Sequence, residues 1–260
     1  LMPDRMAEAD VAAPVRDLIK VLRDIRAMTP NDARWTEGQI DELSVSLKAL
    51  SLEDVLRLKE HGAQLLDVRD ALDFEGAHLA GAIHVGIKGK YAIWCGTVID
   101  HARPVVVIAE AGGEEEAVMR LGRIGFDNVA GHLKGGMDAL GDRPDLVSKI
   151  ERITAVALSE QLATTGAPTV VDVRSEKEWA AGHIPGSVNI PLNHLRDRVT
   201  EVASGRPIVV HCEGGYRSAI AASLFAHAGR ADVLDMLGGC NAWVASRLPV
   251  QTETMLGAGV

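Results

Sequence analysis

No apolar run in this 260-residue chain approaches the length of a bilayer-crossing helix, and its opening, LMPDRMAEAD, has no apolar signal-peptide core. A cytoplasmic protein with no membrane attachment is therefore expected. Cations are scarce too: 27 Lys and Arg against 36 Asp and Glu leave a net charge of −9. That balance argues against a nucleic-acid partner, because phosphate backbones demand Lys/Arg-rich faces. Cysteines number only three, Cys95, Cys212 and Cys240, with no CxxC pair and no Cys/His metal spacing. A disulfide framework and a bound metal are thereby disfavoured, and a reducing compartment is expected. The remaining composition is that of a soluble globular chain, long enough to bury the core of one or two domains.

What is present is a repeat. LLDVRDALDFEGAHLAGAIHV (65–85) matches VVDVRSEKEWAAGHIPGSVNI (170–190), pairing Asp67 with Asp172, Arg69 with Arg174, His78 with His183 and Gly81 with Gly186. PVVVIAEAGG then pairs with PIVVHCEGGY, and GGMDAL with GGCNAW, which sets Ala109 opposite Cys212. Two copies of one domain follow. Each holds β-type runs separated by helical stretches, which implies βα units and a mostly parallel sheet. Ser51 to Asp54 reads as a capping box opening the first of these helices. The copies span 48–145 and 153–250, with GDRPDL (141–146) at the boundary. Residues 1–47 form a helical segment in which Val15, Leu18, Ile19, Leu22 and Ile25 lie on one face of a helix over 13–28.

In such sheets, ligands bind outside the carboxyl ends of the strands, and Cys212 directly follows a strand-like run. Gly214 and Gly215 let the backbone curl with amide N–H groups turned inward, ahead of a helix sequence whose positive dipole end faces the same point. A thiolate is stabilised there and becomes nucleophilic at neutral pH. Arg217 adds a fixed charge, and Ser218 is suited to cap the helix. Cys95 and Cys240 have no such surroundings and read as packing residues. In the first copy Ala109 replaces the cysteine. Glu114 and Glu115 fall where Arg217 and Ser218 stand, and Glu114 to Glu116 satisfy the helix dipole with fixed carboxylates.

These residues carry a resemblance. C-x-x-G-x-R-S after a strand, with upstream D-V-R…E-W…G-H-I-P-G-S…N-I-P, resembles the rhodanese sulfurtransferase family as a tandem pair. The resemblance implies that Cys212 accepts a sulfane sulfur and carries it as a persulfide. The amides of Glu213, Gly214, Gly215, Tyr216, Arg217 and Ser218 would cradle that sulfur. Asp172 and Arg174 match the D-V-R signature, with bracing of the loop by an ion pair as their expected role, and His183 is expected to fix a turn. The first copy is also similar to the cysteine-less copy that follows a metallo-β-lactamase-type domain in bacterial persulfide-oxidising fusions. A domain of that type is thus an expected partner, and the start at Leu1 and the helix over 13–28 fit the tail of such a domain. No H-x-H-x-D-H zinc motif occurs in this chain.

The expectation is a sulfurtransferase that needs no cofactor and moves sulfur from thiosulfate or a persulfide to a thiol or cyanide. Two alternatives stay open: a non-catalytic persulfide relay, and a phosphatase or arsenate reductase on the same scaffold. The C-x4-R loop is one residue shorter than the C-x5-R of cysteine phosphatases and suits a single sulfur atom. Glu213, a carboxylate beside the nucleophile, is expected to oppose the thiosulfate dianion and favour a low-molecular-weight or protein persulfide donor.

Overall fold

The computed structural model describes residues 48–141 and 143–253, so the helix expected over 13–28 lies outside the described residues. Two compact units divide the chain. Of the described residues, one takes 48–69 together with Lys90–Leu146; the other takes Asp70–Gly89 together with 147–253. Over 70–89, then, the repeat in the sequence and the compact units do not coincide.

The first unit opens with β1 (Ala49–Leu50), α1 (Leu52–Glu60) and β2 (Gln64–Asp67). Ser51 starts α1: its Oγ accepts the Asp54 N–H at 3.1 Å, and Gly62 at φ +93° turns the chain out of the helix. Next in the chain come α2 (Ala71–Gly76), β3 (His78–Leu79) and β4 (Ile83–His84), all within the second unit. The first unit resumes with α3 (Tyr91–Val98), β5 (Val105–Ile108), α4 (Glu114–Gly122) and β6 (Val129–Leu133). Its strands pair in parallel in the order β1-β6-β5-β2. Every residue of β2 and β5 is buried, which is why these strands read as continuous apolar runs and not as alternating ones.

The second unit continues with β7 (Val147–Ser148), β8 (Glu151–Ile153), α5 (Ala155–Leu162), β9 (Thr169–Asp172), α6 (Glu176–Ala181) and β10 (Val188–Asn189). It ends with α7 (Leu192–Arg198), β11 (Ile208–His211), α8 (Tyr216–His227), β12 (Val233–Met236) and α9 (Gly239–Ala245). Its five-stranded sheet is parallel throughout, in the order β10-β9-β11-β12-β8. Ile153, Leu158, Val170, Ile184, Val209, Met236 and Trp243 form a core cluster in this unit. Truncating the fully buried Leu158 to Ala would cost about 2–5 kcal/mol through lost transfer energy and a residual cavity. In the register of β9 and β11, Asp172 lies beside His211. The D-V-R segment and the cysteine loop therefore leave the sheet side by side, at the carboxyl end where such sheets bind ligands.

Candidate active site

Cys212 follows β11 directly and is buried, 2% exposed. Two loop carbonyls are held from behind: Cys240 N–H donates to Cys212 O at 2.7 Å and Asn241 N–H to Glu213 O at 3.1 Å. Gly239 makes this possible, because a Cβ there would collide with both carbonyls. With its carbonyls drawn toward α9, the loop is free to turn amides toward the sulfur. Gly215 N–H donates to Cys212 Sγ at 3.2 Å. Gly215 itself stands at φ +114°, a conformation that strains any residue with a side chain, and it is the N-cap of α8. Gly214 faces the Asn241 side chain.

Ser218 does not cap the helix as expected. Gly215 holds that position, and Ser218 lies in the third helical position with its hydroxyl donating back to Gly215 O at 3.0 Å. Its Oγ lies 3.7 Å from Cys212 Sγ, with the thiol as the donor. The sulfur thus accepts one amide N–H at the N-terminus of a twelve-residue helix, whose dipole presents its positive end there.

Charge around the loop is tightly paired. The Arg217 guanidinium forms a two-pronged bridge with Glu178, at 2.9 and 2.7 Å. The same carboxylate closes a capping box with Ser175 at the start of α6. The Arg217 bonds first, and the Ser175 bonds after burial, hold the Glu178 carboxyl down at about 2. Arg217 also lies near enough to Cys212 for the two to interact. Arg174 is buried on Asp172 at 2.7 Å, donates to Gly182 O at 2.7 Å, and reaches Glu213 Oε2 at 3.5 Å. Asn189 Nδ2 ties down the carbonyls of both Asp172 and Arg174. Glu213, half exposed, is thus tied to a cation, which reduces the repulsion of a dianion that its sequence position suggests. Tyr216 OH donates to Gly86 O at 2.8 Å, and its ring fills the space a Cβ at Gly89 would need. His183 stacks on Trp179 at 3.8 Å and exchanges backbone bonds with Gln251.

The first copy shows the same scaffold with a different loop. Ala109 follows β5 and is buried. The first helical bond of α4 is Ala117 N–H to Gly113 O, and that of α8 is Ala219 N–H to Gly215 O. Gly113 is four residues beyond Ala109, whereas Gly215 is three beyond Cys212, so the first loop carries one more residue. Measured from the helix start, Glu115 and Glu116 stand opposite Arg217 and Ser218, one place later than the sequence match suggests. Glu114 Oε2 accepts the Gly112 N–H at 2.7 Å, so a loop amide is already occupied by a carboxylate. Gly136 plays the part of Gly239, since a Cβ there would lie 2.7 Å from Ala109 O. Asp67 and Arg69 repeat the buried pair at 2.7 Å. Among the other cysteines, burial pushes the Cys95 thiol up to about 12 and raises that of Cys240.

Reading the sequence missed Glu178, although Ser175-x-x-Glu178 is a capping-box signature in plain view. Among the described residues no cluster of three or more His, Cys, Asp or Glu is placed to hold a metal ion. No helix among them is long and apolar enough to cross a membrane.

Comparison with known proteins matches the rhodanese-like domain to residues 51–142 and again to 154–246. Over 101 residues the chain is 33% identical to a sulfurtransferase of Allochromatium vinosum, covering 39% of this chain and 94% of that protein. It is 35% identical over 124 residues to an HTH-type transcriptional regulator of Mycobacterium tuberculosis, covering 47% of this chain and 51% of the regulator, so it spans about half of that relative's length. A crystal structure of a rhodanese-related protein from Thermoplasma volcanium is similar at 33% identity and a TM-score of 0.37, over 39% of this chain and 97% of that one. The two family matches together take in well over half of the sequence: the chain belongs to the rhodanese family and contains two tandem rhodanese-like domains.

Proposed function

We propose that the second domain is a sulfurtransferase whose nucleophile is Cys212 and that the first domain takes no part in the chemistry. The Cys212 thiolate attacks the outer sulfur of thiosulfate or of a persulfide. A new S–S bond forms, the donor's S–S bond breaks, and sulfite or a thiolate leaves with the electron pair. An acceptor thiolate or cyanide then attacks the outer sulfur of the Cys212 persulfide and regenerates the thiolate. The observation that carries this reading is Gly215 N–H on Cys212 Sγ at 3.2 Å, at the N-terminus of α8. The short loop also speaks against a phosphatase. Arg217, which would have to clasp a phosphate, is engaged on Glu178 through both of its terminal nitrogens.

The test is mass spectrometry of the protein after incubation with thiosulfate or glutathione persulfide. A gain of one sulfur atom on the peptide that contains Cys212, discharged by cyanide or a thiol and missing in Cys212→Ser, is the expected result. Absence of any gain with either donor overturns the reading. A gain that no small acceptor discharges would recast the domain as a persulfide relay.

A further inference from the structure

Behind the cysteine loop, inside the second unit, two carboxyl groups are buried against each other. Asp235 on β12 is 4% exposed and Glu75 on α2 is 2% exposed. Their side chains interact directly, and Asp235 also meets the Ser218 hydroxyl and the charge of Cys212. Glu75 has cationic company, since Arg152 on β8 lies 3.8 Å from its Oε2, and Asp70 at the start of α2 is its other charged neighbour. The groups that act most on Asp235, Glu75, Ser218 and Cys212, include no cation, although Arg152 is its register neighbour across β8 and β12, and its Oδ1 is buried with no hydrogen-bond donor. A buried carboxylate oxygen without a donor is costly, whereas a carboxylic acid donating its own proton to Glu75 is satisfied.

We propose that Asp235 holds a proton shared with Glu75, so that the Cys212 sulfur bears its negative charge beside a neutral acid and not beside a second anion. Glu75, facing Arg152, keeps the negative charge of the pair, and Asp235 acts as a positioning residue through its charge, since the Ser218 hydroxyl donates to Gly215 O. Burial, then the Glu75 charge and hydrogen bond, push the Asp235 carboxyl well above the usual carboxylate range, while the Ser218 hydroxyl pulls the other way. Burial likewise raises Glu75, against the hydrogen bond from Asp235 and the charge of Arg152. Two carboxyl groups in contact cannot both ionise cheaply, and they titrate as a pair. Glu75 belongs by sequence to the first copy, so the copy without a cysteine supplies a group that sets the charge at the sulfur of the other. The inference rests on the sulfurtransferase reading only in that Cys212 must work as a thiolate.

Two measurements test it without requiring sulfur transfer. The first is the infrared spectrum at neutral pH, where wild type should show the carbonyl band of a protonated carboxylic acid and Asp235→Asn should lack it. If wild type has no such band, or if Asp235→Asn retains it, the proposal fails. The second is the rate of Cys212 alkylation by iodoacetamide as a function of pH. Glu75→Gln removes the charge that keeps Asp235 protonated, so Asp235 ionises earlier and the thiol midpoint should move up by roughly one pH unit. Asp235→Asn is neutral at every pH and should leave the midpoint at or below that of wild type. Structural damage would move both variants the same way. A common direction, or no movement in Glu75→Gln, overturns the proposal.

Discussion

The loop after β5 and the loop after β11 start from the same frame and part in three ways. Each leaves a fully buried parallel strand, each is pressed by a glycine from beyond the next strand of the sheet, and each stands beside a buried Asp–Arg pair. The second loop carries a sulfur and presents an amide N–H to it. The first carries a methyl group, is one residue longer, and spends a loop amide on Glu114. The pairing of scaffold and chemistry is therefore loose. Strand, turn and helix can persist while the group the turn was shaped to hold is replaced by a side chain of the loop itself.

The largest expected effect tests whether the difference is chemical. Cys212→Ser should lower sulfur transfer by a factor on the order of a thousand or more. Ala109→Cys in that background should restore none of it, because Glu114 already occupies the Gly112 N–H and two further carboxylates follow. Adding Glu114→Gln should speed alkylation of the introduced thiol, again without restoring transfer. Substantial transfer in the Cys212→Ser, Ala109→Cys variant would show that the first loop is competent after all.

A smaller effect concerns Glu178, which holds Arg217 and also caps α6. Glu178→Gln should reduce kcat/KM by roughly ten- to a hundredfold by loosening the arginine at the loop. Ser175→Ala removes the cap but leaves the arginine clamp, so it should cost about 1 kcal/mol of stability with kcat/KM close to wild type. Equal losses of activity in the two variants would reduce Glu178 to a helix cap. The pH dependence has a definite sign. Because the folded carboxyl titrates at about 2, below its ordinary 4.5, its contribution to stability is complete above 4.5 and is lost as pH falls through about 2.

The smallest effect belongs to Glu213. With Arg174 3.5 Å away and the carboxylate half exposed, Glu213→Gln should raise kcat/KM for thiosulfate only about two- to fivefold, in line with a partly exposed ion pair. The gain should fade at high salt. A tenfold or larger gain would mean that Arg174 does not offset the carboxylate.

Much of this site was legible beforehand. A run of β-formers, a cysteine, two glycines and an alanine-rich stretch specify strand, turn and helix, because each residue type there has one cheap conformation. The α1 start at Ser51 was legible for the same reason. The helix cap beside the cysteine was misread because residue type favours Ser218, whereas a glycine at positive φ takes the position and turns the serine inward. The register of the first loop was misplaced by one, since matching residues across a loop cannot say where an extra residue is absorbed. The Glu178–Arg217 clamp and the Glu75–Asp235 contact join residues far apart in sequence, and no local pattern announces such pairs. Nor does a repeat in sequence report packing, as the placement of residues 70–89 shows.

That placement has a consequence for how the chain can be cut or pared down. A gene truncated at the seam between the repeats would encode the cysteine loop without Glu75, which neighbours Asp235, and without Gly86, which receives the Tyr216 hydroxyl. A duplicate that packs as a separate unit is free to be shed. Here shedding the first copy would remove groups that the second packs against, so the second repeat is not a self-contained unit.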